Sequence, residues 1–558
     1  MKTELEQAIA AVVRELFDAD LGVELTRPDE QFGDYATNVA LQLAKPLGKN
    51  PREIAESLAA ALRQTLHDRV EDVTVAGPGF LNLRLRESAL LAALEMELPR
   101  SLDGQKVLVE YSDPNPFKPL HAGHLYTTLV GDTVSRLIES AGAETVRLNY
   151  GGDVGLHVGK SMWSILRTLG GELPDKLGDV PEADRPAWLG ARYVEGNNAY
   201  EDDETAKAEI VAVNKRVYEL HATGDHDSPF AQVYYTTRQW SYDYFAVLYA
   251  QLQVAPFKRY IPESEVTPLG LQTVHDQLER GVFASSDGAV VFDGESRGNG
   301  LHTRVFINSE GLPTYEAKEV GLVFTKWRDY AYDRSIVITA NEQEQYMKVV
   351  LAAIGEIEAE PAQRTRHIPH GVVKLQGGVK MSSRKGNVVT ALEILEAARE
   401  AGQATGTNPS EDTILAAVKY AFAKNRIGGD IVYDPKESIA LEGNSGPYLQ
   451  YAHARARSIL AKAELSPVQL SDLTDSERSL LRKITEYQEV VARAVSELMP
   501  HHICTYLYEL AQKFNQFYEH NRVIGDDRQA QRLQLVAHYA DTLQQGLSLL
   551  GISAPERM

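Results

Sequence analysis

Cysteine is almost missing from this chain: Cys504 is the only one among 558 residues. A single thiol excludes a disulfide framework and any CxxC zinc site. Cys504 is therefore expected in a packed core, and the compartment is expected to be reducing, most simply the cytoplasm. No long uncharged apolar run occurs, which argues against a membrane partner. The opening residues MKTELEQAIA read as a charged helix rather than a signal peptide. Positive charge is also short, with 57 Lys and Arg against 78 Asp and Glu and a net charge of −21. Charge totals say little about local patches, so this deficit neither supports nor excludes RNA as a partner. The rest is ordinary for a globular protein, 43% hydrophobic and 24% charged. The length exceeds what a single core supports, so about three to four domains are expected.

The most informative stretch is VLVEYSDPNPFKPLHAGHLYTTLVGDTVSRL, from Val107 to Leu137. Val107–Tyr111 is a short β-branched run that predicts a buried strand. Three prolines between Ser112 and Pro119 force an extended, turning loop. From His121 onward Leu125, Leu129, Val130, Val134, Leu137 and Ile138 recur at helical spacing. His121, Gly123 and His124 thus sit at a helix start, where unpaired N–H groups and the dipole favour an anion. Two imidazoles spaced i, i+3 share a face, Gly123 lets a nucleotide approach the backbone, and Lys118 lies just upstream. Two histidines three apart are equally compatible with plain capping.

Far downstream, VKMSSRKGNVV (from Val379) is a basic, hydroxyl-bearing loop between apolar runs. Lys380, Arg384 and Lys385 there suit a polyphosphate whose charge shifts during reaction; alone they read equally as a solvated turn. Together, HAGH after a strand and KMSSRKG resemble the two signatures of class I aminoacyl-tRNA synthetases. The chain is most similar to the arginyl-tRNA synthetase family over nearly its whole length. QFGDYATNVALQLAK (from Gln31), AGPGFLNLRL (from Ala76), NYGGDVG (from Asn149), GLPTYEAKE (from Gly311), GNSGPYLQYAHARARSIL (from Gly443) and the closing LLGISAPERM all carry the likeness.

That resemblance implies an α/β fold: a Rossmann-type parallel-sheet catalytic domain with an insertion, a small α/β N-terminal domain and an all-α C-terminal helical bundle. The boundaries expected are 1–100 for a tRNA-contacting domain, 101–395 for the catalytic domain with a helical insertion at about 160–300, and 396–558 for an anticodon-binding bundle. The implied reaction is ATP-dependent ligation of L-arginine to tRNA(Arg) through an arginyl-adenylate. The implied cofactors are ATP with Mg²⁺, without zinc, in a monomer. His121, Gly123, His124, Met381, Ser382, Ser383 and Lys385 take the ATP-binding positions, and Lys380 and Lys118 join the two histidines as catalytic groups. Ser383 departs from the family's usual lysine, and Lys118 fills the place from which some arginyl enzymes compensate.

A guanidinium is a planar fork of donors that carboxylates satisfy bidentately, so an acidic slot is expected beside the nucleotide. By resemblance Glu110, Asn115, Tyr315, Glu319 and Gln343 take the arginine-binding positions. Glu319 stands where aspartate is usual, and Tyr346, in place of a common histidine, is given no role. Tyr448, Tyr451, Arg455 and Arg457 are the candidate tRNA contacts, combining aromatic faces with charge.

Candidate core strands are Val107–Tyr111, Thr145–Asn149, Ile336–Thr339 and Val372–Leu375, and a single helix is expected over Ser476–Leu498. Gly155 to Ser161 mimics a P-loop but has three residues between its glycines where that motif needs four. A cysteinyl enzyme would need zinc ligands that are missing. An RNA-binding relative that had lost activation would be expected to have damaged HAGH or KMSSRKG.

Overall fold

Five parallel strands carry the site in the computed structural model, which describes residues 1–298, 300–376, 389–406, 408–464 and 468–558. They are β1 (Lys106–Glu110), β2 (Glu144–Gly151), β3 (Arg259–Pro262), β4 (Arg334–Ala340) and β5 (Thr365–His370), in the order β5-β4-β1-β2-β3. Val107, Leu108 and Val109 are at most 1% exposed, so β1 is covered on both faces. Such a strand reads as an unbroken apolar run, and each side chain buried this way stabilises by about 1.5–3 kcal/mol. From β1 the chain winds outward one way through β2 and β3, then returns to β4 and β5 on the other side. The order therefore reverses between β1 and β4, and the crevice beyond their carboxyl ends is where ligands of such sheets bind. Glu110 stands opposite Val337 at that point.

The helices that frame the crevice are α1 (Ala122–Ser140), α2 (Leu156–Leu169), α3 (Glu263–Glu279), α4 (Tyr315–Tyr330) and α5 (Glu344–Ile357). α3 and α4 cross with their backbones touching. A Cβ on Gly270 would lie 2.0 Å from the Ala317 carbonyl oxygen, and one on Gly321 would lie 2.2 Å from that of Val266. Glycine alone permits this approach, and it fixes the face of α4 presented to the sheet.

The helices Arg185–Asp202, Glu204–Thr223 and Pro229–Gln251 pack with α2 around Met162, Ile165, Val217 and Tyr234 as a separate core. N-terminally, the helices Lys2–Phe17, Val39–Leu47 and Pro51–Thr65 accompany an antiparallel sheet of Tyr35–Thr37, Phe80–Leu85 and Val70–Ala76. This unit docks on the C-terminal helices through Asp34, fully buried, which takes Arg478 at 2.6 Å and Arg482 at 3.2 Å. The C-terminal part includes α6 (Glu411–Ala423), α7 (Gly446–Leu460) and α8 (Gln529–Leu549). Cys504 is buried within it.

Three expectations need correction. Val372–Leu375 is not a core strand; Val373–Leu375 pairs with Ile431–Tyr433 in a separate two-stranded sheet, and β5 takes the core edge. A short β-branched run looks the same in either setting. The remaining core edge, β3, lies inside the stretch read as helical insertion. The single helix expected over Ser476–Leu498 is two, Asp475–Thr485 and Tyr487–Glu497. The first packs on the helix Glu87–Leu94 and the second on α1, so the break at Glu486 lets one amphipathic pattern serve two partners.

Candidate active site

The loop between β1 and α1 sets the geometry. Ser112, Asp113 and Phe117 all adopt positive φ (77°, 48° and 68°), a conformation that side chains resist. Packing holds it: the Phe117 side chain is fully buried, its N–H donates to Ser241 Oγ at 2.8 Å, and Asp113 Oδ1 accepts from the Tyr150 N–H at 2.7 Å. The chain then enters α1 with His121 as N-cap. His121 Nδ1 accepts the His124 N–H and His124 Nδ1 accepts the His121 N–H, both at 3.3 Å, and the rings stack at 3.7 Å. The sequence left open whether this pair caps the helix or serves a ligand. It caps, and because both Nδ1 atoms accept, each neutral ring carries its proton on Nε2, a donor without a partner among the described residues.

The electrostatics favour those neutral rings. Burial, then the Lys118 charge, lowers the His121 pKa; burial, then His121 and Lys118, holds His124 well below the usual imidazole range. A Cβ on Gly123 would lie 2.9 Å from His121 Cε1, so glycine also makes room for the stacked ring. Lys118 lies 4.5 Å over the Tyr193 ring, its pKa lowered by burial. Lys380, Met381, Ser382, Ser383 and Lys385 lie outside the described residues. The chain just beyond them runs beside His121: the Ala122 N–H donates to the Val389 carbonyl at 2.7 Å, and His121 and Thr390 form an antiparallel bridge.

A cavity of about 460 Å³ opens at the carboxyl ends of β1 and β4, a size suited to a small-molecule ligand. His121, Gly123 and His124 line it together with Glu110, Asn115, Tyr315, Glu319 and Gln343. All five expected arginine positions and three of the expected ATP positions thus meet around one space. Glu110 is not an open strand-end carboxylate, for it is 2% exposed and accepts from Lys326 Nζ at 2.7 Å. Asn115 Oδ1 takes the Gly152 N–H at 2.9 Å, leaving its NH₂ donors.

Sequence reasoning missed several residues here. Lys326 lies two helical turns beyond Glu319 on α4 and is fully buried. Glu263 on α3 accepts from Lys318 at 2.6 Å, another buried pair. Tyr346, given no role, donates its hydroxyl to the Tyr315 carbonyl at 3.0 Å and reaches Glu319 Oε2 at 3.4 Å. Lysine recurring within the apolar face of α4 was the available signal. The tRNA candidates on α7 are largely engaged within the protein. Arg457 pairs with Asp541 at 2.8 Å, Arg455 stacks 4.7 Å over Tyr518, and the Tyr448 hydroxyl accepts from Asn515. Tyr451 is 45% exposed.

Such a crevice, with a paired-imidazole helix start over an acidic floor, agrees with what comparison finds. Residues 87–434 match a model described as the class I tRNA synthetase (R) catalytic domain, so the catalytic part is of class I. Residues 1–85 match the arginyl tRNA synthetase N-terminal domain, and 449–558 match the DALR anticodon binding domain. The chain is 30% identical to an arginine–tRNA ligase of Porphyromonas gingivalis over 603 aligned positions, covering 100% of this chain and 99% of that one. It is 31% identical to another from Crocosphaera subtropica, covering 98% and 96%. The Thermus thermophilus arginyl-tRNA synthetase structure superposes with a TM-score of 0.81 at 28% identity, each chain covered in full. The chain belongs to the arginyl-tRNA synthetase family.

Proposed function

We infer that this chain joins L-arginine to tRNA at the expense of ATP, as a class I synthetase in translation. The arginine carboxylate attacks the α-phosphorus of ATP, giving arginyl-adenylate and pyrophosphate; a terminal hydroxyl of the tRNA then takes the arginyl group and AMP leaves. No side-chain nucleophile is needed, because positioning and electrostatic stabilisation carry transfer at phosphorus.

The reading assigns roles residue by residue. The Nε2–H groups of His121 and His124, with the Gly123 amide at the positive end of the α1 dipole, bind the triphosphate. Lys118 neutralises part of the charge that grows on the α-phosphate. Lys380, Ser382, Ser383 and Lys385 serve the departing pyrophosphate, with Met381 beside the nucleotide. Glu110 and Glu319 receive the guanidinium, while Asn115, Tyr315 and Gln343 orient the rest of the amino acid. Mg²⁺ enters with ATP as part of the substrate, held by phosphate oxygens; among the described residues no group of three or more His, Cys, Asp or Glu is disposed to hold a metal. Residues 1–100, 101–395 and 396–558 act as tRNA-contacting, catalytic and anticodon-binding units, in a cytoplasmic monomer, and Tyr448, Tyr451, Arg455 and Arg457 contribute to the RNA face. Among the described residues no helix is long and apolar enough to cross a membrane.

The single observation that carries this reading is the one cavity shared by the histidine pair and the buried carboxylates Glu110 and Glu319. ATP–pyrophosphate exchange with each amino acid, with and without total tRNA, tests it. Exchange should appear with arginine and require tRNA; exchange driven by a different amino acid would reject the reading.

A further inference from the structure

One half of the Glu319 carboxyl is unserved. Oε2 has the Tyr346 hydroxyl at 3.4 Å, but Oε1 is buried without a hydrogen-bond partner among the described residues. Burial and the neighbouring carboxylates keep the Tyr150 hydroxyl of β2 uncharged beside it, and the other titratable groups come from four directions. From β1, Glu110 is matched by Lys326 of α4; from α3, Glu263 is matched by Lys318 of α4. From the loop after β1, Asp113 accepts the Tyr150 N–H, and from α5 comes the uncharged Tyr346 hydroxyl. Among the described residues the two ion pairs cancel, and Glu319 faces the cavity with no cation of its own.

A buried carboxylate without a cation takes up a proton rather than stay charged. Burial, reinforced by the Glu110 charge, pushes Glu319 up to about 8, against the opposing pull of Lys326. Asp113 is raised as well, by burial and then Glu110, but its Oδ1 is committed to the Tyr150 amide.

We propose that Glu319 is the residue that makes this site demand a cation: it holds a proton in the empty cavity and releases it to solvent when a guanidinium docks. The O–H bond of the carboxyl breaks, the proton leaves to buffer, and the carboxylate accepts the guanidinium N–H groups. A neutral side chain of the same shape, such as the ureido group of citrulline, supplies no charge to stabilise the carboxylate and is refused. The proposal rests on the arginine reading given above and adds a proton to it.

Titration calorimetry of the full-length protein with arginine, in two buffers of different ionisation enthalpy at pH 7, counts the protons released. Wild type should release close to one, and arginine affinity should rise about tenfold per pH unit between pH 6 and 7, levelling above pH 8. Glu319→Gln, a neutral mimic of the protonated acid, should release about one proton fewer, lose that pH slope and discriminate less against citrulline. Glu319→Asp should restore the release. Equal proton counts in wild type and Glu319→Gln, or a pH-independent wild-type affinity, would overturn the proposal. Should the variant not fold, Asp113→Asn, which removes another raised carboxyl, should keep the wild-type count and slope, and their loss in that variant would overturn the proposal. Failure of the arginine reading looks different, with no arginine heat at any pH even with total tRNA present.

Discussion

Replacing Lys326 with methionine isolates the physics beneath the site. The ammonium is fully buried and bonds Glu110 Oε2 at 2.7 Å, and Glu110 is itself 2% exposed. Removing one partner of a buried ion pair strands the other, at a cost of about 3–5 kcal/mol. At about 2.1 cal/mol/K of unfolding entropy per residue, a domain of about 295 residues loses roughly 1.6 °C in Tm per kcal/mol, so Lys326→Met should lower the unfolding of the catalytic domain by about 5–8 °C. The double variant Glu110→Gln/Lys326→Met removes both charges, and pairs replaced by uncharged groups of similar volume are often near neutral. It should therefore recover most of the loss in stability while still failing to bind arginine. Scanning calorimetry, with pyrophosphate exchange on the same samples, reads both quantities. If the single variant is as stable as wild type, or the double variant is less stable than the single, the pair does not bear on stability as reasoned here.

Four further outcomes follow from the geometry. Lys118→Ala should slow adenylate formation by about 10²-fold while changing ATP affinity little, as single-turnover kinetics can separate, because its charge is used in the transition state. Activity should show no inflection near pH 6.5 from His121 or His124, since burial keeps both rings neutral above that range. His157 is held at about 3 by burial, below its ordinary 6.5, so the unfolded chain binds its proton first. Stability from this group is whole above pH 6.5 and falls by about 1.4 kcal/mol per unit as pH drops toward 3; His157→Gln should flatten that acid limb in urea titrations. Gly321→Ala drives a methyl against the Val266 carbonyl and should cost about 1–3 kcal/mol or more in the same assay.

The sequence was readable where local chemistry and fold agree. β1, the proline-bearing loop and α1 follow from β-branched runs, ring constraints and helical spacing, and that same spacing places the histidine pair at the start of α1. Glu110, Asn115, Tyr315, Glu319 and Gln343 were reachable only through family likeness, since nothing in their spacing brings β1, α4 and the start of α5 together. Lys326 and Lys318 carried only the weaker signal of lysine recurring within the apolar face of α4, because a lysine on a helix ordinarily marks its solvent face and tertiary packing is what buries these two against carboxylates. Val372–Leu375 holds a strand, Val373–Leu375, as its residues suggest, but not a core one, because a short β-branched run suits any sheet. The two-helix division at Glu486 escaped notice because its residues continue the helical pattern while their packing partners change. Tyr346 was given no role, yet its hydroxyl, donated to the Tyr315 carbonyl at 3.0 Å, also lies 3.4 Å from Glu319 Oε2.

The most direct test is a crystal structure of the full-length protein with a non-hydrolysable arginyl-adenylate analogue. The guanidinium should lie within hydrogen-bond distance of Glu319 and Glu110, and the phosphate should accept from Nε2 of His121 or His124. An analogue bound with its guanidinium toward solvent, or its phosphate away from the start of α1, would contradict the account.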